Sequence, residues 1–284
     1  MSAVEIRTAT AAEFQTAVDW AADEGWNPGL GDLPVFHGTD PKGFFMGWIG
    51  DTPVSSISVV RYGASFGFLG FYIVHPDFRG RGAGIATWNY GMKYLEGRTV
   101  GLDGVVAQQE NYKKSGFVYA GANLRYSGVP TVTAEKTATE IRPVTRGDLE
   151  AILQYDRAFF AAPRAAFVTP WVLPDPLAKR SARVAVKDGE IAGYGVIRQC
   201  RSGRKVGPLF AEDAGTAAAL FAALCATAPG EEIALDTPQD NEAAVALAEA
   251  AGLQPVLETA RMYRGMALEL PLARTFGITT FELG

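Results

Sequence analysis

The chain repeats its own plan, and that restricts its fold more than any other feature. Near the start it reads VEIRTATAAEFQTAVDWA and later TEIRPVTRGDLEAILQYD, so that Ile6-Arg7 returns as Ile141-Arg142. Each copy is a short strand, a polar turn and an amphipathic helix. Gly43 to Gly63 (GFFMGWIGDTPVSSISVVRYG) is two strand-like runs around Gly50-Asp51, and Arg183 to Arg198 (RVAVKDGEIAGYGVIR) is the same hairpin around Asp188-Gly189, a strong turn dipeptide. GLDGVVAQQENYKKSGF from Gly101 matches ALDTPQDNEAAVALAEAAGL from Ala234. Both read as a strand ending in Leu-Asp, a helix, and a Gly at the helix C′ position. Helices mixed with antiparallel hairpins predict an α+β fold with a mixed, mostly antiparallel sheet in each copy rather than a doubly wound one. The boundaries expected are residues 1–128 for the first copy, 129–139 (VPTVTAEKTAT, polar and without apolar periodicity) for a linker, and 140–284 for the second.

A length of 284 residues suits two domains, and 48% hydrophobic with 20% charged residues describes a globular protein with ample core material. The formal net charge of -5 argues against nucleic acid as a partner. Two cysteines, Cys200 and Cys225, and two histidines, His37 and His75, make neither a disulfide framework nor a metal centre, so no metal is expected. The first ten residues, MSAVEIRTAT, lack the basic and apolar regions of a secretory leader. The longest uncharged run, Ala214 to Gly230, is short for a bilayer and broken by Pro229. A cytoplasmic setting without membrane association is the expectation.

Within that frame one stretch stands out: FYIVHPDFRGRGAGIATW, Phe71 to Trp88. A strand ends at His75-Pro76, three glycines and two arginines fall within Arg79–Gly84, and a helix pattern opens at once. The first N–H groups of a helix lack intrahelical acceptors and sit at the positive end of the macrodipole. Glycine lets them approach a ligand closely, and Arg79 and Arg81 add formal charge. The loop is built for an anion, best a phosphate or pyrophosphate. A Walker A loop would need Lys-Ser/Thr after Gly84, where Ile85-Ala86 stand, and a dinucleotide fingerprint would need G-x-G-x-x-G in a parallel βαβ unit. Both fit poorly.

The R-G-x-G-x-G run after a strand ending in Val-His-Pro, followed by YKKSGF (Tyr112 to Phe117), resembles the GNAT superfamily of N-acetyltransferases. The element order of residues 1–128 resembles it throughout, and the two halves together resemble a tandem-GNAT protein with a degenerate second domain. The resemblance implies acetyl-CoA as co-substrate, with its pyrophosphate on Arg79, Gly80, Arg81, Gly82, Ala83 and Gly84. It implies that Ile73 and Val74 pair their main chain with the pantetheine arm, with Asn111 near the same arm. It makes Tyr112 the acid that protonates the departing thiolate, and the expected reaction is direct transfer of acetyl to an amine. Where the superfamily often has Asn, seven residues before the tyrosine, this chain has Val105. His75 reads as a structural strand end, and no general base is singled out.

Glu24 to Phe45, rich in Gly and Pro, reads as a loop that shapes the acceptor pocket, with Glu24, Trp26, Asn27, Asp32 and Phe36 as candidate contacts to a small-molecule amine. The alternative is that the aromatics plug the loop onto the core. In the second copy, Ala211-Glu212-Asp213-Ala214-Gly215 replaces the glycine loop and Ala248 stands in place of Tyr112. Carboxylates there satisfy the helix start and repel a pyrophosphate, so one acetyl-CoA per chain is expected. The second copy would wall the acceptor site, complete its partner's sheet or serve architecture alone; its loop Ala161 to Pro176 carries Arg164 and Trp171 toward the cleft or into packing. The tail Arg274 to Gly284 is expected to add an edge strand. The reading from another class is a coenzyme A-binding sensor or assembly module without turnover.

Overall fold

A computed structural model describes residues 4–132, 139–175, 177, 179–266 and 268–284. The first half runs β1 (Glu5–Thr8), α1 (Ala11–Asp23), α2 (Asp32–Thr39), β2 (Phe44–Ile49), β3 (Thr52–Tyr62), β4 (Phe66–Val74), α3 (Ala83–Tyr94), β5 (Thr99–Val105), α4 (Gln109–Lys114) and β6 (Val118–Gly128). The second runs β7 (Glu140–Pro143), α5 (Leu149–Asp156), α6 (Ala165–Val172), β8 (Arg180–Lys187), β9 (Glu190–Gln199), β10 (Arg204–Ala211), α7 (Ala214–Cys225), β11 (Ile233–Pro238), α8 (Glu242–Ala250), β12 (Gln254–Arg264) and a short β13 (Thr275–Gly277). Most of the expected linker, residues 133–138, lies outside the described residues, as does Pro176.

The repeated Ile-Arg pair has a physical meaning. Thr10 and Glu13 form a capping box at the start of α1, and Arg7 grips Glu13 at 2.7 Å. Thr145 and Asp148 form the corresponding box, and Arg142 grips Asp148 at 2.6 Å. Both helix entries therefore satisfy their first free N–H groups in the same way, with a Thr and an acid three residues on. The Asp188-Gly189 turn takes positive φ at both positions, +52° and +85°, as a two-residue hairpin requires.

Tertiary structure departs from a simple pair of domains at the last strand of each half. Among the described residues one sheet of 13 strands runs in the order β1-β2-β3-β4-β5-β12-β6-β11-β10-β9-β8-β7, with β13 on β10. The final strands are exchanged: β12 pairs β5, while β6 pairs β11, and β12 and β6 pair each other antiparallel at the centre. Among the described residues only β4/β5 and β10/β11 are parallel. The second half thus completes the sheet of the first, and the first completes the second.

Two ion pairs occupy equivalent places in this exchange. Arg125 on β6 faces Asp236 on β11 with Nε–Oδ1 of 2.6 Å and Nη2–Oδ2 of 2.8 Å, and Arg261 on β12 faces Asp103 on β5 with 2.9 and 2.6 Å. Both acids belong to the repeated Leu-Asp motif. Bidentate geometry at a buried strand crossing fixes register as well as charge.

The apolar core also crosses the halves. Phe36 stacks on Phe167 and Trp171 of α6, with ring centroids 6.2 and 5.8 Å apart. Among the described residues no helix is long and apolar enough to cross a membrane, and no group of three or more His, Cys, Asp or Glu side chains is placed to hold a metal.

The tail is not an edge strand. β13 lies inside the sheet, pairing antiparallel to β10, and Ile278 donates its N–H to the Asp236 carbonyl of β11 at 2.9 Å. An apolar run such as Phe276-Gly277-Ile278 is better buried between two strands than exposed beside one. Glu24 to Phe45 is likewise not all loop, because α2 forms within it and buries Leu33, Val35 and Phe36.

Candidate active site

β4 and β5 pair in parallel only from Phe66↔Thr99 to Leu69↔Leu102. Beyond that, β4 bulges, so that Ser58 faces Gly70 while Ser56 faces Ile73, and Phe71 takes φ +45°. A bulge adds a residue to one strand and bends it away from its neighbour. The strands part, and among the described residues the main chain from Gly70 to Val74 has no strand partner on its β5 side. The opening holds a cavity of about 360 Å³ lined by Ile73, Val74, Asp103, Val105 and Tyr112 among others.

At the outer end of β4 stands the glycine loop. Gly82 caps α3 with φ +87° and no side-chain cap bond, and Gly80 has φ +73°. A Cβ built at either position meets nothing within 4 Å. These glycines therefore provide a left-handed backbone with open space in front of free N–H groups. Gly84 differs: its Cβ would lie 2.9 Å from the Tyr72 hydroxyl, so it permits close packing of α3 on β4. Arg79 reaches back to the Val74 carbonyl at 3.0 Å and pairs with Glu24. Arg81 lies exposed over Phe78, 5.9 Å from the ring centre.

Tyr112 sits on α4 with its ring stacked on Trp88 at 5.7 Å and only 8% of its surface exposed. Burial, with a smaller push from Tyr72, raises its hydroxyl to about 12. It holds its proton throughout the neutral range and lines the cavity.

Of the remaining candidates, Glu24 and Trp26 line the cavity. Asn111 does not: it is exposed and donates to Gln108 at 2.7 Å, and Gln108 is the residue that lines the wall. Asn27 turns away, exchanging hydrogen bonds with Ser202 of the second half at 2.8 and 3.1 Å. Asp32 is buried against Arg198 at 3.0 Å and caps Gly29. Phe36 is in the shared core. The three belong to the joint between the halves, because an acid or aromatic in a Gly/Pro-rich segment is captured by whatever surface the segment crosses. His75 packs between Trp20 and Phe78, off the cavity. Arg164 and Trp171 also miss the cleft: Arg164 is bound to Asp156 at 2.8 Å, and the Trp171 indole donates to the Gly207 carbonyl at 3.0 Å.

Asp103, Phe281 and Glu282 are among the lining residues that the sequence did not single out. Asp103 was marked only by the repeated Leu-Asp. Phe281 and Glu282, in the tail, carried no signal at all.

The second half has an equivalent parting of strands. β10 and β11 pair only from Arg204↔Ile233 to Val206↔Leu235, and β10 is irregular between Val206 and Leu209. There β13 fills the opening. Asp213 caps α7 by accepting from the Thr216 N–H at 2.8 Å, and Glu212 pairs with Arg274. The cleft is closed by the chain itself, and its helix start is already satisfied.

A sheet parted beside a glycine-capped helix defines the class: proteins of the GNAT fold, here in tandem. The GNAT acetyltransferase family model matches residues 6–117, and a GNAT acetyltransferase domain model matches residues 152–277. The chain is 31% identical over 279 residues to the holothin acyltransferase of Pseudoalteromonas sp. (strain SANK 73390), covering 98% of this chain and 94% of that protein. In fold it is similar to a putative acetyltransferase from Pyrococcus horikoshii, with TM-score 0.81, 20% identity, and coverage of 100% of this chain and 97% of the other. A tandem GNAT protein from the clavulanic acid biosynthesis pathway gives TM-score 0.65 at 15% identity, covering 94% of this chain and 100% of the other. The chain belongs to the GNAT acyltransferase family, with two GNAT domains in tandem.

Proposed function

We propose that the protein is an acetyl-CoA-dependent N-acetyltransferase that acetylates a small-molecule amine in the cleft of its first half. The carrying observation is the contrast between the two clefts: one opens onto a cavity beside bare helix N–H groups, and the other is filled by β13. In this reading Arg79 to Gly84 hold the pyrophosphate, and the edge of β4 around Ile73 and Val74, which β5 leaves open, receives the pantetheine arm as an added strand would. The acyl group then lies toward Tyr112. The amine nitrogen attacks the thioester carbonyl directly, the C–S bond breaks, and Tyr112 gives its proton to the departing sulfur. The relative named for holothin and a cavity of about 360 Å³ both support a compact acceptor.

The test is the thermal midpoint with acetyl-CoA, ATP or NAD. A ligand at about 100 times its dissociation constant stabilises by about 2.7 kcal/mol. The expected result is a shift with acetyl-CoA alone, one molecule per chain by calorimetry. No shift, or an equal shift with ATP, would refute the reading.

A further inference from the structure

The tail links the two clefts. Phe276 to Ile278 fill the second, and Phe281 and Glu282 then border the cavity of the first. The passage is tight: a Cβ on Gly70, where β4 leaves β5, would lie 2.1 Å from the Glu282 carbonyl oxygen. Tyr62 donates to the Leu283 carbonyl at 3.0 Å, and Arg164 donates to that of Gly284 at 3.0 Å. The chain just after Glu282 is held at two successive carbonyls.

Three carboxylates line the cavity, and two are committed. Glu24 is taken by Arg79. Asp103 is taken by both ends of Arg261 and by Asn123 at 2.7 Å. Glu282 is only 4% exposed, yet among the described residues it accepts no side-chain hydrogen bond and joins no ion pair. Arg125, Arg198 and Lys205 are near enough to feel its charge. Each has its partners already: Asp236 for Arg125, Asp32 for Arg198, and the carbonyls of Trp26 and Asn27, at 3.3 and 3.2 Å, for Lys205. Its carboxylate oxygens are not among the buried side-chain atoms left without a partner, so they are reached from the cavity and are free to meet a donor from outside the chain.

We propose that Glu282 binds the ammonium group of the acceptor and takes its proton, so that the tail supplies the base for the reaction in the first half. The proposal rests on the acetyltransferase reading above. Trp26 and Phe281 line the same cavity and suit an acceptor whose amine is carried on an apolar or aromatic body. The protons balance. Of the three on the ammonium, one passes to Glu282 and on to solvent, freeing the lone pair for attack. A second leaves as the tetrahedral adduct collapses, replacing the one that Tyr112 gives to sulfur, and the third stays on the amide nitrogen.

The experiment uses the full chain and two variants, Glu282→Gln and Glu282→Asp. Acetyl transfer to a panel of benzylamine, 2-phenylethylamine and tryptamine is read together with acetyl-CoA affinity and the thermal midpoint of the free protein. Glu282→Gln should lose about 100-fold in kcat/KM for the amine, with a raised amine KM. Its acetyl-CoA affinity should stay within about twofold of the parent and its midpoint should not fall. Glu282→Asp should restore part of the loss. A Glu282→Gln protein that transfers at the parent rate, or whose midpoint and acetyl-CoA affinity fall together, would overturn the assignment and make Glu282 a counter-ion of the nearby cations. So would a parent enzyme that binds acetyl-CoA but acetylates no member of the panel. If Glu282→Gln does not fold, Glu282→Asp decides, since transfer at the parent rate would overturn the assignment. Failure of the parent to bind acetyl-CoA would sink the underlying reading instead.

Discussion

Replacing Asp236 by Asn tests how the exchanged strands are held. Asp236 and Arg125 are 3% and 6% exposed at their side chains and meet through two bonds of 2.6 and 2.8 Å. Removing one charge leaves Arg125 buried without its bidentate ion pair, held by the Trp26 carbonyl, 2.9 Å from Nη1, and a neutral amide oxygen. Breaking a buried pair this way costs about 3–5 kcal/mol. At about 2–4 °C per kcal/mol for a chain of this class, the midpoint should fall by about 6–20 °C. The double variant Arg125→Met, Asp236→Leu should recover most of the loss, because it removes both desolvation penalties at once. Burial alone would raise the Asp236 carboxyl, but the charge and hydrogen bonds of Arg125 outweigh it and hold the group below its usual range. Its stabilisation is therefore present above the unfolded carboxylate value near ~4 and is lost as pH falls through the folded value. The gap between parent and Asp236→Asn should narrow in acid. Urea melts followed by circular dichroism, at neutral pH and below pH ~3, measure all of this. A single variant within about 1 kcal/mol of the parent, or a double variant as damaged as the sum of its parts, would refute the idea that this pair locks the exchange.

Other outcomes follow from the site. Tyr112→Phe should lower kcat about 100-fold with little change in acetyl-CoA affinity, and because burial raises Tyr112 to about 12, the parent profile should show no alkaline loss from this group up to about pH 10. A rate unchanged in Tyr112→Phe would remove it as the acid. Gly82→Val should abolish the acetyl-CoA shift in calorimetry and destabilise the free protein by about 1–3 kcal/mol, since φ +87° is strained for a branched side chain. Gly70→Ala should cost about 1–3 kcal/mol in denaturant melts and depress amine turnover more than acetyl-CoA binding, because its Cβ must push the Glu282 carbonyl aside.

The sequence alone determined what depends on neighbours along the chain. Hydrophobic period, turn dipeptides and caps are local, so the duplication, the Asp188-Gly189 hairpin, the glycine-capped helix and the satisfied helix start at Asp213 were all readable before any coordinates. Tyr112 could be placed because YKKSGF ties it to a helix ending in Gly.

Tertiary structure decided everything that depends on which surface a segment meets. Asn27, Asp32 and Phe36 have the residue types of a binding loop, but the second half supplies Ser202, Arg198 and Trp171 to absorb them. Completion of one copy's sheet by the other was readable as one of several roles for the second copy, but which strands exchange was hidden, because an antiparallel strand satisfies its ladder against either copy of a duplicated partner. The tail is the clearest instance. Eleven residues that read as a spare strand close one cleft and place a buried carboxylate in the other, since a bulge in β10 and another in β4 leave two openings that one segment can reach. Periodicity carries no record of such openings; they exist only once both halves are folded against each other.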